Sequence, residues 1–126
     1  MKTSPPPNTK SWSRENLAWA AGFIDGEGAI GLYKAGKRVT GEQIYHSAIS
    51  VPQNSPELLL RLQNLFGGIV SQGKTRKIHR WRINVRGFIY PVLVALYPWF
   101  SIKRKQEPER VIHWFKTNPH HFNTRI

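Results

Sequence analysis

Two acids, Asp25 and Glu27, each followed by a glycine, close an apolar small-residue segment, Ala20-Ala21-Gly22-Phe23-Ile24. That segment is predicted to be helical from about Ser13 to Asp25, with Ser13 as its N-cap. A helix C-terminus carries partial negative charge, so each exposed carboxylate there is disfavoured by roughly 0.3–1 kcal/mol. A local rule broken without local gain points to function. A bound cation reverses the sign, because carboxylates and helix end both attract it. The plain alternative is a small-residue packing helix that ends at a glycine cap.

The partner for such a cation follows from the charge. The 126 residues carry 19 Lys and Arg against 7 Asp and Glu, a formal net charge of +12 with a pI near 10.6. No acid occurs between Glu57 and Glu107, a span that holds Arg61, Lys74, Arg76, Lys77, Arg80, Arg82, Arg86, Lys103, Arg104 and Lys105. A surface charged only for solubility would mix the signs, so the segregation predicts a polyanionic partner. A membrane surface is not expected: no apolar run reaches the roughly 18 residues of a span, and the first residues are polar and proline-rich. The absence of cysteine excludes disulfides and thiolate metal sites and fits an intracellular protein.

A chain of this length is one domain with a modest core. Residues 1–12 read as a disordered or extended lead, 13–117 as the single domain and 118–126 as a loose tail. After the first helix the pattern turns to period two. A first strand runs from Gly28 to a turn at Gly36-Lys37-Arg38, and a second spans Gln43 to Val51, ended by Pro52. Ser55 as N-cap, Pro56 at the first helical position and Glu57 at the positive end then mark a helix start; Leu58, Leu59, Leu62, Leu65 and Phe66 form its apolar face, and Gly67-Gly68 closes it. A hairpin follows, with strands at about Ile69–Lys74 and Ile78–Arg86. A third helix covers Phe88–Tyr97, and a last one Glu109–Lys116. The order α-β-β-α-β-β-α-(α) predicts an α+β fold: a four-stranded antiparallel sheet with helices packed on one face.

The fourth strand alternates most sharply. Trp81, Ile83 and Val85 point one way, and Arg80, Arg82 and Asn84 the other. The apolar set must meet the helices, so the polar set lines an open face. Arginine can pair with guanine or grip phosphate, and asparagine can pair with adenine. On the second strand Tyr45, Ile49 and Val51 are expected inward, with His46 and Ser50 outward. On the third, Ile69 is expected inward and Ser71 outward. Tyr33 on the first strand and Lys37 and Arg38 at its end extend the DNA-binding set. The hairpin tip Lys74-Thr75-Arg76-Lys77 should grip phosphates. Solvated strand arginines are the plain alternative. Ala18, Ala21, Gly22 and Asp25 lie at helical spacing on one narrow face, where small residues allow a second helix to approach closely.

The segment 20–28 resembles the signature of the LAGLIDADG homing endonucleases, in the single-motif homodimeric type. The resemblance covers most of residues 13–106. Ala20 replaces the family's opening leucine and Glu27 its second aspartate, which keeps a carboxylate on a longer arm. The resemblance implies a double-strand DNA endonuclease that hydrolyses phosphodiesters with a divalent metal, Mg2+ with Mn2+ or Ca2+ as substitutes. Glu27 would be the catalytic metal ligand, with the Gly26 carbonyl nearby and Asp25 at the helix interface. Gln53 matches a glutamine that orders solvent near the metal, unless it is simply a loop residue. Lys103 matches an active-site lysine, with Lys105 the alternative if the register slips. One motif per chain implies a homodimer through the first helix, double-stranded DNA as a long, approximately palindromic target, and a location in a bacterial cytoplasm or an organelle.

Three other functions fit the same charge. A non-catalytic DNA-binding protein of this fold would have lost the metal acid, which is present. A maturase would bind intron RNA instead, and basic surfaces do not discriminate between polyanions. A ribosomal protein explains the charge but not the acidic helix end.

Overall fold

The computed structural model describes residues 7–73, 77–84 and 88–118. Among these residues four α-helices and four strands follow in the predicted order: α1 (Arg14–Glu27), β1 (Ala29–Lys37), β2 (Gln43–Gln53), α2 (Glu57–Phe66), β3 (Ile69–Gln72), β4 (His79–Asn84), α3 (Ile89–Leu96) and α4 (Gln106–Thr117). The strands form one antiparallel sheet in the order β1-β2-β4-β3. Its inward side chains Ile30, Ile49, Val51, Trp81 and Ile83 join Ile24, Leu62, Leu93, Val111 and Phe115 from the four helices in one core.

Ser13 caps α1 as expected, its hydroxyl accepting from the Asn16 amide at 3.1 Å. The helix runs past Asp25 to Glu27, so both acids lie in its last turn. Gly28 then turns the chain into β1 with φ −105°, within reach of any residue. Its need for glycine is steric: a Cβ there would lie 3.0 Å from both the Ile24 carbonyl oxygen and Val51 Cγ2. The end of α1 is thereby pressed onto β2.

The passage from α2 to β3 is as tight. Gly67 and Gly68 take φ of +75° and +87°. A Cβ on Gly68 would sit 2.7 Å from the Arg82 carbonyl oxygen. The buried Trp81 indole N–H donates to the Gly67 carbonyl at 2.8 Å.

Several expectations are corrected. Residues 7–12 are not an extended lead. Pro7 is buried, the Asn8 amide and the Trp12 indole both donate to the Leu65 carbonyl, at 3.1 and 2.7 Å, and Trp12 packs on Phe66. They thus satisfy a carbonyl at the α2 C-terminus that has no intrahelical donor. Pro52 does not end β2, which continues to Gln53 opposite His79. Leu58 is 42% exposed, because one helix face buries only a stripe and Leu59, Leu62, Leu65 and Phe66 fill it. Ser55 does not cap the α2 backbone, whose N-cap position is Pro56; the Ser55 hydroxyl beside the Glu57 carboxylate holds that carboxyl below its usual range. Ile69 faces outward and Val70 inward. Ile69 pairs with Arg82 and Val70 with Trp81, and residues two apart share a face. α4 begins three residues before the predicted start, at Gln106.

Candidate functional site

The two acids of α1 have opposite surroundings. Asp25 is half-buried and engaged within its own chain: its Oδ2 accepts from the Ser101 amide at 2.9 Å, and its Oδ1 faces the Arg104 Nε at 3.7 Å, an ion pair too long for a hydrogen bond. Glu27 is exposed and makes no hydrogen bond or ion pair with another described residue through its side chain. The unfavourable pair at a helix C-terminus is therefore half resolved by the fold. Arg104 neutralises Asp25, and the charge of Glu27 is left to solvent.

Arg104 also serves the helix end itself. Its Nη2 donates to the Gly28 carbonyl at 2.6 Å and the Ile24 carbonyl at 3.4 Å, while Nη1 bonds Glu107 Oε1 at 3.1 Å. A guanidinium fork is suited to spanning several acceptors at once, and a cation at a helix C-terminus is favoured. Nothing in the sequence singles Arg104 out from the flanking Lys103 and Lys105.

Three predicted residues are carried to the same end of the sheet. Glu27 ends α1. Gln53, half-buried, ends β2 two residues beyond Val51, which touches the α1 terminus at Gly28. Lys103 is exposed in a 3-10 turn, Ile102–Arg104; Ser101 just before that turn and Arg104 at its end both bind Asp25. No hydrogen bond joins Glu27, Gln53 and Lys103 among the described residues, nor do three acidic, histidine or cysteine side chains gather there. The donor chemistry is one free carboxylate plus the Gly26 carbonyl, in a helical turn whose carbonyls lack intrahelical donors. That set fits a hard cation that retains waters and takes phosphate oxygens, and does not fit a closed protein cage.

The predicted small-residue face is rotated. Ala21 is fully buried in the chain's own core and Asp25 is committed to Ser101 and Arg104, so neither lines an open seam. Ala18 is half-buried, and Gly22 and Gly26 are exposed, with nothing within 4 Å of a Cβ built on either. The open stripe is Ala18, Gly22 and Gly26, one turn apart. Trp19 beside it is half-buried, stacked on Phe23 and covered by the Arg61 guanidinium 3.7 Å from its ring.

The open sheet face assembles as the period-two pattern requires. Arg80, Arg82, Ser71, His46 and Tyr33 are exposed, and Ser50 is half-buried. Tyr33 lies opposite His46, and Ser71 opposite Arg80. The two arginines differ. Arg80 Nη1 donates to Ser50 Oγ at 2.8 Å, whereas the Arg82 side chain has no partner among the described residues. Lys37 ends β1, and Arg38 pairs with Glu42 at 3.6 Å across the turn. Lys77 is exposed. Lys74, Thr75 and Arg76 lie outside the described residues, as do Val85 and the side chain of Asn84. No helix among the described residues is long and apolar enough to cross a membrane.

The fold matches several solved structures. The homing endonuclease I-CvuI, solved in complex with a DNA target, superposes with a TM-score of 0.72 at 20% identity, over 84% of this chain and 69% of that one. I-CeuI, an intron-encoded homing endonuclease complexed with DNA, gives 0.65 at 16% identity over 87% and 59%. The archaeal intron-encoded I-Vdi141I, also complexed with DNA, gives 0.63 at 15% over 84% and 72%. Among curated proteins no sequence matches. The family model of the LAGLIDADG endonucleases matches residues 20–106, from the start of the acidic motif to the turn that holds Arg104 and the first residue of α4. The chain belongs to the LAGLIDADG endonuclease family.

Proposed function

We propose that the chain is a divalent-metal-dependent DNA endonuclease that acts as a homodimer on a long, approximately palindromic duplex. The observation that carries this is the contrast between the two acids: Asp25 is neutralised within the fold, and Glu27 is exposed with no side-chain partner among the described residues. An unpaired carboxylate at the negative end of a helix is costly unless a cation is drawn there.

Glu27 and the Gly26 carbonyl would hold Mg2+, with Mn2+ or Ca2+ able to replace it. Bound there, the ion supplies a more acidic water and neutralises charge on the scissile phosphate. Lys103 adds a positive charge that stabilises the phosphate as negative charge builds. Gln53, with donor and acceptor on one amide, orients solvent for attack. The sheet face holds the duplex through Arg80, Arg82, His46, Ser50, Ser71 and Tyr33, and the flanking Lys37, Arg38 and Lys77 grip phosphates. One Glu27 per chain and two strands to cut call for two copies, meeting along Ala18, Gly22 and Gly26 in a two-fold contact.

The test is incubation of the protein with a library of duplexes in Mg2+, followed by sequencing of the ends produced. Paired breaks at one pseudo-palindromic sequence are expected, and they should disappear when the metal is chelated. Specific retention of duplexes with no metal-dependent breaks would instead establish a non-catalytic DNA-binding protein.

A further inference from the structure

Arg104 ties together two chain segments far apart in sequence. Its guanidinium reaches back 76 and 80 residues to the Gly28 and Ile24 carbonyls. It faces Asp25 at 3.7 Å and Glu107 at 3.1 Å. Three residues before it, the Ser101 amide donates to Asp25 at 2.9 Å. The Glu27 terminus of α1 and the turn carrying Lys103 are thus latched by one side chain and one amide, with Asp25 between them. Neither the Glu27 nor the Lys103 side chain has a partner of its own among the described residues that would fix it. The latch joins the two backbones directly, beside the packing of Ile24 in the core and of Gly28 on β2.

We propose that Arg104 is a positioning residue: it sets the placement of Glu27 relative to Lys103, and with it the geometry in which cation and phosphate meet. The proposal rests on the endonuclease reading of Glu27. Its chemistry follows from the fork. Nη1 and Nη2 donate to separate acceptors while Nε faces the Asp25 carboxylate as an ion pair, so the guanidinium fixes direction as well as charge. A lysine at this position keeps the charge near Asp25 and the helix end but cannot span the three acceptors as well. A misplacement of about 1 Å in such a site can cost on the order of 100-fold in rate.

Three measurements on full-length Arg104→Ala and Arg104→Lys test it. Amide hydrogen exchange reads the latch without any activity. In Arg104→Ala, exchange should speed up at Ser101 and Gly28 while core amides such as Val92 and Leu93 keep their protection. Terbium luminescence on the duplex-bound protein reads the cation site, and Arg104→Ala should bind Tb3+ more weakly, with Glu27→Gln as the control that loses it. Single-turnover cleavage in Mg2+ should fall about 100-fold in Arg104→Ala with the duplex Kd unchanged, and Arg104→Lys should recover part of the rate. Loss of protection throughout the core would make Arg104 a folding residue and overturn the proposal. So would local exchange, Tb3+ affinity and rate all equal to wild type. If the wild-type protein binds duplex and Tb3+ but does not cut, the endonuclease reading fails by itself, and exchange with Tb3+ affinity still decides the role of Arg104.

Discussion

The C-terminus of α1 and the open face of the sheet carry opposite charges and are built by opposite means. At the helix end one carboxylate is isolated by neutralising its neighbour, through contacts that converge from residues 24 to 28 and 101 to 107. On the sheet, the exposed polar side chains come from all four strands by simple alternation. The first arrangement concentrates its function in one group whose position matters at the scale of an ångström. The second distributes its function, so that no single side chain should be decisive. Catalysis and recognition then respond to substitution with different magnitudes.

The sharpest way to break this contrast is Glu27→Gln. The amide keeps the size and removes the charged ligand, so cleavage should be abolished while duplex affinity stays close to wild type. EDTA should reproduce the effect on the unaltered protein. The substitution should leave the fold intact, since the Glu27 side chain is exposed and holds no described contact. Cleavage at the wild-type rate in Mg2+ would sink the metal assignment.

Gly22→Leu should have the next largest effect. A Cβ at Gly22 has nothing within 4 Å, so a single copy accommodates leucine, and the helix gains about 1 kcal/mol of propensity. A second helix approaching along Ala18, Gly22 and Gly26 would meet the new side chain, and overpacking of that kind costs about 1–3 kcal/mol or more. Thermal stability of the monomer should hold or rise while light scattering shows dimer loss. Cleavage should fall with the dimer. A variant that stays dimeric and active would place the partner elsewhere.

These two tests also separate what is legible in the sequence from what is not. The alternation of Arg80, Trp81, Arg82 and Ile83 is a local signal, and the structure keeps it residue by residue. The helix face of α2 is legible for the same reason, apart from Leu58 at its margin. Glu27 and Asp25 stand out because they break a local rule. Arg104 does not, since its partners lie 76 to 80 residues back and no local pattern marks it. Ala21 is misassigned from sequence because a small residue looks the same whether it packs on its own core or on a partner. Ile69 shares its parity with the outward Ser71, and parity outranks its apolar character. Trp12 is invisible because its anchor is a helix carbonyl, 53 residues on, with no sequence signature.

The sheet predictions are smaller and turn on partners. Arg82 has no described side-chain partner and is free to reach a base edge, whereas Arg80 already gives one donor to Ser50. Arg82→Ala should weaken binding to the preferred duplex by about 1–3 kcal/mol and relax the preference at one position in each half-site. Arg80→Ala should cost less and leave the preference closer to wild type. Titrations of both variants against specific and random duplexes measure this. Equal losses on both duplexes for Arg82→Ala would show that it grips phosphate and reads nothing.

The smallest effect should come from Lys77, exposed beside the hairpin. A lysine that meets phosphate contributes through counterion release, which is blind to sequence. Lys77→Ala should therefore weaken specific and random duplexes alike and reduce the slope of log K against log salt by about 1. The cleavage rate at saturating DNA should change less than the affinity: Lys77 precedes His79, which lies opposite Gln53, but its side chain makes no described contact with Glu27, Gln53 or Lys103. The salt slope is the informative quantity here, since a loss of affinity alone would not distinguish phosphate from base contact. If the slope is unchanged and the loss is confined to the preferred sequence, Lys77 belongs with Arg82 among the base-reading side chains, and the recognition surface extends past the strands.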